Sequence, residues 1–363
     1  MKNRIKILAP LYAAHEVEPL AASGASEIYC GVMEVEGPMS YAKRFNARFL
    51  HLANLGSFAE LKSVVARAHR QGMRVLFTVN DFFAPKQYER VLSHIRQAVA
   101  AEVDALIIAD LGLAADLMER YQGFGKEIHI SSRVPIFNAN ALNFFKSLRA
   151  SRVVIPPNLT VAEMQPLCHQ GIDLEVFILN QRCSNVQAFC RCPHGSFLTH
   201  VAHRFHKLYD FSPLRRSGVF WRQSRLINYR LEKFVNALFA RQKSKYCFCR
   251  NEFECRVYDR NDRLVDAAGK ARRLWDPVSH FTYSCGACFL YRFTEMGIGH
   301  VKVVGRIDPT VKKIRDVKFI KDLLDYIEQG CTEDQFMAQA RGLRRQVYGA
   351  QACDPANCTY QMD

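Results

Sequence analysis

The sequence predicts an α/β protein built on a TIM-like (β/α)8 barrel, and three observations carry that expectation. Short, β-rich apolar runs recur through the first half at spacings of about 20 to 25 residues. There are eight of them: KILAP, EIYCGV, FLHLAN, RVLFTVND, ALIIAD, IHISS, RVVIPP and EVFILN. Eight is the strand count of a closed α/β barrel. The runs are continuously apolar and the segments between them amphipathic, as expected for parallel strands enclosed by an outer layer of helices.

Each element has a local reason to form. Ser57 and Glu60 make a capping box ahead of Leu61, Val64, Val65 and Ala68, and Thr160 with Glu163 repeats the device before Met164 and Leu167. After Pro85, Val91, Ile95, Ala98 and Val99 lie on one stripe of a helix. Polar residues gather where the strands end: Asn54, Asn80 with Asp81, Asp110, His129 with Ser131 and Ser132, Asn158, and Asn180. The carboxyl ends of barrel strands form the active face, so these side chains are expected to converge there. The competing reading is that Asn and Asp simply end strands by capping turns. His129 is the hardest to dismiss in that way, because it sits inside an apolar strand.

Beyond the eighth run the pattern breaks. Residues 1–182 read as the barrel strands and helices, 183–260 as a cysteine-rich loop with a basic insertion, and 261–363 as a barrel-completing segment with a small helical extension and tail. Within the last part, YSCGACFLYRFTEMGIGHVKVVGR reads as a helix from about Ala287 to Met296, a glycine turn, a strand and then Arg306. Two helical segments follow from Lys312, ahead of the tail QACDPANCTYQMD.

With 363 residues, 49% of them hydrophobic, the chain can bury a large core and is not a disordered protein. No apolar run approaches the roughly 18 residues of a membrane span, and the opening MKNRIKILAPLY is too short a run for a signal peptide, so a cytoplasmic location is expected. The formal charge is +15. It is concentrated in residues 193–246, where eleven Lys or Arg face only Asp210 and Glu232, a net +9. The second half of this insertion, WRQSRLINYRLEKFVNALFARQK, has the spacing of a basic amphipathic helix. It suits either docking on the barrel or contact with RNA, an anionic membrane surface or a protein partner.

Six of the thirteen cysteines lie between Phe177 and Cys255, in FILNQRCSNVQAFCRC and YCFCRNEFEC. A reducing cytosol disfavours disulfides, and thiols brought together from the two ends of one loop suit a soft, polynuclear metal site, so an iron–sulfur site is expected. Cys30, Cys168 and Cys331 stand alone and read as small buried apolar residues.

In chain order, ILAP, GASEIYCG, FTVN, ALIIADLG, EIHISS followed by Asn138, SRVVIPPNLT, EVFILNQRC with Cys190, and GIGHVKVVGR resemble peptidase family U32, the collagenase-like family. That family includes oxygen-independent hydroxylases of anaerobic ubiquinone synthesis and RNA hydroxylases. The resemblance implies a barrel and, in the hydroxylase members, a 4Fe–4S cluster with a prephenate-like oxygen donor. Cys183 and Cys190 carry over directly as ligands. Cys249 and Cys255 are preferred for the other two places, with Cys247 as the substitute. Substrate and cluster are expected to meet at the barrel's carboxyl end, the active face of such a barrel, with Asn80, Asp110, His129, Lys302 and Arg306 as candidate catalytic residues and Ser131 and Asn138 as candidate cofactor-binding residues. Lys302 and Arg306 could pair with donor carboxylates, or else with a barrel carboxylate. The chain departs from the family pattern at Pro157-Asn158, at Val304 and in the length of the basic insertion, which leaves the substrate open between an aromatic or quinone-type molecule and an RNA base.

No HExxH zinc motif and no GxSxG elbow is present, which speaks against hydrolysis by a known arrangement. A peptidase and a non-catalytic, cluster-bearing subunit of a same-family heteromer are the alternatives. Finally, Cys285 with Cys288 and Cys353 with Cys358 supply four thiols for a second metal site, iron–sulfur or zinc, that would close a tail too polar to dock by burial.

Overall fold

The computed structural model describes residues 4–33, 45–46, 53–181, 284–306, 308–353 and 358–360, together with two short strands at 257–258 and 264–265. Eight parallel strands close a barrel. They are β1 (Lys6–Pro10), β2 (Glu27–Cys30), β3 (Arg74–Val79), β4 (Ala105–Ile108), β5 (Glu127–Ile130), β6 (Arg152–Val154), β7 (Asp173–Leu179) and β10 (His300–Val303), and β10 fills the gap between β7 and β1. The strands β8 (Val257–Tyr258) and β9 (Leu264–Val265) form a separate antiparallel pair. They belong to a second compact unit, residues 190–268.

The barrel is the expected one, with one strand reassigned. β2 pairs directly with β3, Glu27 opposite Arg74 through Cys30 opposite Phe77, so the ring has no strand between them; residues 49–52 of the third apolar run lie outside the described residues. Just past that run, Leu55 makes an isolated parallel bridge to Val32. A short apolar run cannot by itself distinguish a strand from an extended connection. Here Gly56 and the helix cap at Ser57 follow at once, and Asn54 turns its side chain inward to Arg306. HVKV is the eighth barrel strand, so the cysteine-rich insertion leaves after the seventh strand, not the eighth.

The outer helices form where the sequence places them. Helix α1 spans Val17–Ala22, α2 Phe58–Arg70, α3 Tyr88–Ala100, α4 Leu111–Glu119, α5 Ala139–Ser147 and α6 Val161–Met164. In α2 the Ser57 hydroxyl accepts from Glu60 N, and Leu61, Val64, Val65 and Ala68 are buried against the barrel. Both halves of the Thr160–Glu163 capping box form at α6. Between strands and helices lies one continuous apolar core. Helix α7 (Leu290–Glu295) precedes β10, and α8 (Thr310–Glu328) and α9 (Glu333–Tyr348) follow it. Lys313 of α8 is buried and bonded to both oxygens of Glu16, at 2.9 and 3.0 Å, which ties the C-terminal helices to the first turn after β1.

Inside the ring the filling is mixed. Leu8, Tyr29, Leu76, Ala105 and Ile107 form a small apolar cluster. Beside it stands a charged network instead of further apolar layers. The Arg152 guanidinium donates to both oxygens of Glu27, at 2.7 and 2.9 Å, and to Glu175 at 3.1 Å. Lys302 donates to Glu175 at 2.7 Å, and His300 lies 3.2 Å from Glu27 and 3.3 Å from Asp173. Glu27 and Glu175 have no solvent exposure. Ions so placed must be paired to be tolerated. Burial pushes both carboxyls up, but His300 and Arg152 around Glu27, and Lys302 and Arg152 around Glu175, outweigh it and hold both well below the usual carboxylate range.

Candidate functional site

The polar residues that follow the strands separate into three groups. The first is a cradle around Arg306. Its Nη1 donates to Asn54 Oδ1 at 3.1 Å and Thr78 Oγ1 at 3.3 Å, and its Nη2 to Asn46 Oδ1 at 3.4 Å. Asn46 in turn donates to Asn54 at 3.1 Å, and Thr78 to the Cys30 carbonyl at 3.0 Å. Gly31, directly after β2, permits this closure: a Cβ there would stand 2.6 Å from Asn54 Oδ1 and 2.8 Å from Asn46 Nδ2 and Thr78 Oγ1. Tyr29 lies below, its ring centroid 4.3 Å from Lys302 Nζ and 5.8 Å from the Arg306 guanidinium carbon. Strands β2, β3 and β10 thus bring a buried cation, amides, a hydroxyl and an aromatic face to the carboxyl end of the barrel.

The second group lies across the mouth. Asn80, after β3, is 3.5 Å from the Ser131 hydroxyl after β5. Arg133 donates to the Asn80 carbonyl and to Asp81 Oδ1, both at 2.8 Å, and its guanidinium stacks 4.6 Å over the half-exposed Phe82 ring. A guanidinium and an exposed aromatic face are suited to contacting a planar or anionic ligand.

The third group is structural. Asp110 caps α4: its Oδ1 accepts from Leu113 N at 2.8 Å and from the Tyr88 hydroxyl at 2.9 Å, and its Oδ2 accepts from Phe83 N at 2.9 Å. A carboxylate so engaged is a turn-holder, and burial together with Asp110 pushes the Tyr88 hydroxyl up to about 12. Asn138 is exposed and caps α5, accepting from Ala141 N.

Two expected site residues lie deeper than the mouth. His129 is fully buried within β5, with Nε2 3.0 Å from Glu127, and stands in register with Arg152 in the ionic layer. Burial pushes its pKa down against the opposing pull of Glu127, and among the described residues its Nδ1 has no hydrogen-bond partner. Lys302 takes the barrel carboxylate Glu175 as its partner.

The isolated thiols of Cys30 and Cys168 are buried, and burial pushes them up to about 12 and about 11, whereas Cys331 is only half-buried. Cys285, Cys288, Cys353 and Cys358 line one cavity. Cys183, Cys190, Cys247, Cys249, Cys255 and the basic stretch 193–246 lie outside the described residues. Glu27, Arg152, Glu175, Asn46, Thr78 and Arg133 were not singled out from sequence. Glu27, Arg152 and Glu175 did carry a signal, since a charged residue inside an otherwise apolar parallel strand has to point into the barrel or pair at its rim. Among the described residues no helix is long and apolar enough to cross a membrane.

Comparison with known proteins places this geometry in a family. The chain is 24% identical over 187 residues to tRNA hydroxylation protein P of Haemophilus influenzae, covering 51% of this chain and 38% of that protein. It is 25% identical over 196 residues to the 23S rRNA 5-hydroxycytidine C2501 synthase of Escherichia coli, covering 53% and 27%. It is 25% identical over 170 residues to a collagenase of Porphyromonas gingivalis, covering 47% and 37%. The chain therefore spans less than half the length of each of these relatives. The family model described as peptidase family U32 matches residues 13–202, more than half of the sequence, and the chain belongs to that family.

Proposed function

We propose that this chain is an oxygen-independent hydroxylase of an RNA base, working at the carboxyl end of the barrel with a small, prephenate-like carboxylate as oxygen donor. The observation that carries the reading is the Arg306 cradle, a buried guanidinium oriented by Asn46, Asn54 and Thr78 where the strands end. A fixed, forked cation is the group best suited to a carboxylate, and its rigid support limits the freedom lost on binding. Across the mouth, Asn80, Ser131 and Arg133 with the Phe82 ring supply hydrogen bonds and a stacking face of the kind that hold an unpaired base. Two of the family relatives carry RNA hydroxylation in their names, which favours an RNA base over a quinone-type substrate.

A 4Fe–4S cluster on Cys183, Cys190, Cys249 and Cys255, with Cys247 as the substitute ligand, fits the all-thiol donor set of the loop that follows β7. When bound, such a cluster supplies the electron transfer or Lewis acidity that oxygen transfer without O2 needs. The chain's own side chains orient the donor through Arg306 and hold the base at Asn80, Ser131 and Arg133. The basic stretch 193–246 is the part proposed to meet the RNA backbone, so binding should weaken steeply with salt.

The test is anaerobic incubation of the purified, iron-loaded chain with unmodified RNA and prephenate, followed by nucleoside mass spectrometry. A nucleoside gaining one oxygen atom is expected from the wild type. Arg306→Lys should lose most of that product while still binding RNA, because an ammonium cannot reproduce the fork. Product formation by Arg306→Ala at the wild-type rate would overturn the assignment, and cleavage of denatured collagen in place of RNA modification would favour the peptidase reading raised by the collagenase relative.

A further inference from the structure

We propose that the end of the α8–α9 hairpin bordering the barrel mouth is a docking surface for the phosphate backbone of RNA, an inference that rests on reading the chain as a hydroxylase of an RNA base. The two helices run antiparallel. Helix α8 begins just after β10 and Arg306, at the carboxyl end of the barrel, and the last turn of α9 returns to that end, where the Tyr348 hydroxyl donates to Asp316 Oδ1 at 2.7 Å. Charge is sorted along the hairpin. Residues 308–319 and 335–349, the parts that border the mouth, contain seven Lys or Arg and two Asp, a net +5. Residues 320–334, at the far end, contain one Lys and five Asp or Glu, a net −4.

Helix stability does not account for this sorting. A helix favours acids in its first turn and cations in its last. Helix α9 obeys, with Glu333 and Asp334 at its start and Arg345 at its end, but α8 is reversed. Lys312, Lys313 and Arg315 lie in its first two turns, and Asp322, Asp325 and Glu328 in its last two. Two of these cations have structural partners: Lys313 is buried on Glu16, and Lys312 lies 3.0 Å from Asp308 and 2.6 Å from Asp316. Both aspartates at the mouth are thereby engaged, and Asp316 accepts a further bond from Asn180 at 2.7 Å. Arg315, Arg341 and Arg345 are exposed. Among the described residues Arg315 reaches an acid only at 3.9 Å, from Asp316, and Arg341 and Arg345 have no ion-pair partner.

The patch is also held in place. The Arg315 guanidinium carbon lies 4.5 Å over the Tyr348 ring, and that of the buried Arg344 lies 3.9 Å over the same ring, which fixes both cations at the end of the hairpin. Exposed guanidiniums spread over a helical surface suit a polyanion that meets them one phosphate at a time, whereas a single small anion calls for converging donors. The patch borders the β10 side of the mouth, and Arg133 with the Phe82 ring stands across it. A strand held at the helices is therefore led over the mouth toward the group proposed to hold the base.

The experiment measures binding of the full-length, iron-loaded chain to a labelled, unmodified single-stranded RNA at a series of salt concentrations. The double variant Arg341→Gln/Arg345→Gln should reduce the slope of log affinity against log salt by about 1.4, and adding Arg315→Gln should bring the reduction to about 2, at roughly 0.7 per phosphate contact. The double variant leaves the Tyr348 stack intact, so it decides the matter if the triple variant folds poorly by its unfolding midpoint. A control triple variant, Arg70→Gln/Arg96→Gln/Arg120→Gln, removes exposed cations toward the far ends of α2, α3 and α4 and should keep the wild-type slope. An unchanged slope in the double variant, with RNA still bound and hydroxylated, would overturn this surface alone, as would an equal fall in the control. Failure of the wild type to bind RNA would bring down the hydroxylase reading together with it. Binding of vesicles containing anionic lipid in place of RNA, lost in the double variant, would assign the patch to a membrane surface and overturn the proposal.

Discussion

Replacing Arg152 by Met probes the charged filling of the barrel. Arg152 is 1% exposed and makes three hydrogen bonds to two carboxylates that are themselves fully buried. Charge-assisted hydrogen bonds contribute about 1.5–3 kcal/mol each, so the gross loss is roughly 4.5–9 kcal/mol. Methionine, of similar length, needs no desolvation of a guanidinium, which returns several kcal/mol. Glu175 keeps Lys302 at 2.7 Å, and Glu27 keeps His300 at 3.2 Å and Arg74 at 3.5 Å. The net destabilisation expected is about 3–5 kcal/mol, the range for a buried pair broken from one side. The assay is denaturant unfolding at neutral pH, read as a lower midpoint with an unchanged slope. Adding Glu27→Gln to Arg152→Met should recover part of the loss, since one uncompensated charge is removed. Glu27 and Glu175 titrate in the folded chain below their ordinary value, so the stability they bring with Arg152 is present above about pH 4.5 and lost as the pH falls through their depressed range. The gap between variant and wild type should narrow accordingly in acid. A loss under about 1 kcal/mol at neutral pH, or a double variant worse than the single one, would refute the reasoning.

His94 should make the fold acid-sensitive. It is buried in α3 and stacked 4.0 Å from the Phe45 ring, and burial pushes its pKa down to about 3. The unfolded chain takes up that proton near pH 6.5 while the folded chain does not, so stability drains away between about pH 6.5 and 3, by up to roughly 4–5 kcal/mol. In His94→Leu the fall over that window should flatten, and an unaltered pH profile would contradict the assignment. Asp110→Ala should cost about 2 kcal/mol by uncapping α4 and orphaning the Phe83 amide, with the proposed hydroxylation retained by the folded fraction. Loss of product without loss of stability would restore a catalytic role to Asp110.

Most of the barrel was legible in the sequence, because apolar runs, capping boxes and helical stripes each report a local physical constraint. FLHLAN has no place in the ring between β2 and β3, because apolar content fixes burial and not pairing: β3 lies directly beside β2, and Leu55, just past the run, meets Val32 at one bridge. The site was less legible. Arg306 and Asn54 were visible as polar residues ending strands, and the structure joins them. Asp110 and Asn138 gave the same signal and proved to be helix caps, since both roles need a short polar side chain after a strand or turn. His129 bonds Glu127, two residues back on its own strand, whereas Lys302 is held by Glu175, a partner whose pairing depends on register between strands distant in sequence. Cys285 and Cys288 and the tail cysteines, distant in sequence, line one cavity, and the Cys285–Cys358 bridge brings the two stretches together.

The most direct measurement is a comparison of total nucleosides in RNA from cells that make this protein and otherwise identical cells that lack it, both grown without oxygen. A hydroxylase of an RNA base predicts one hydroxylated nucleoside that disappears with the protein, returns with the wild-type chain, and does not return with Arg306→Ala. Identical nucleoside profiles in the two cultures, under conditions where the protein is made with its metal, would contradict it.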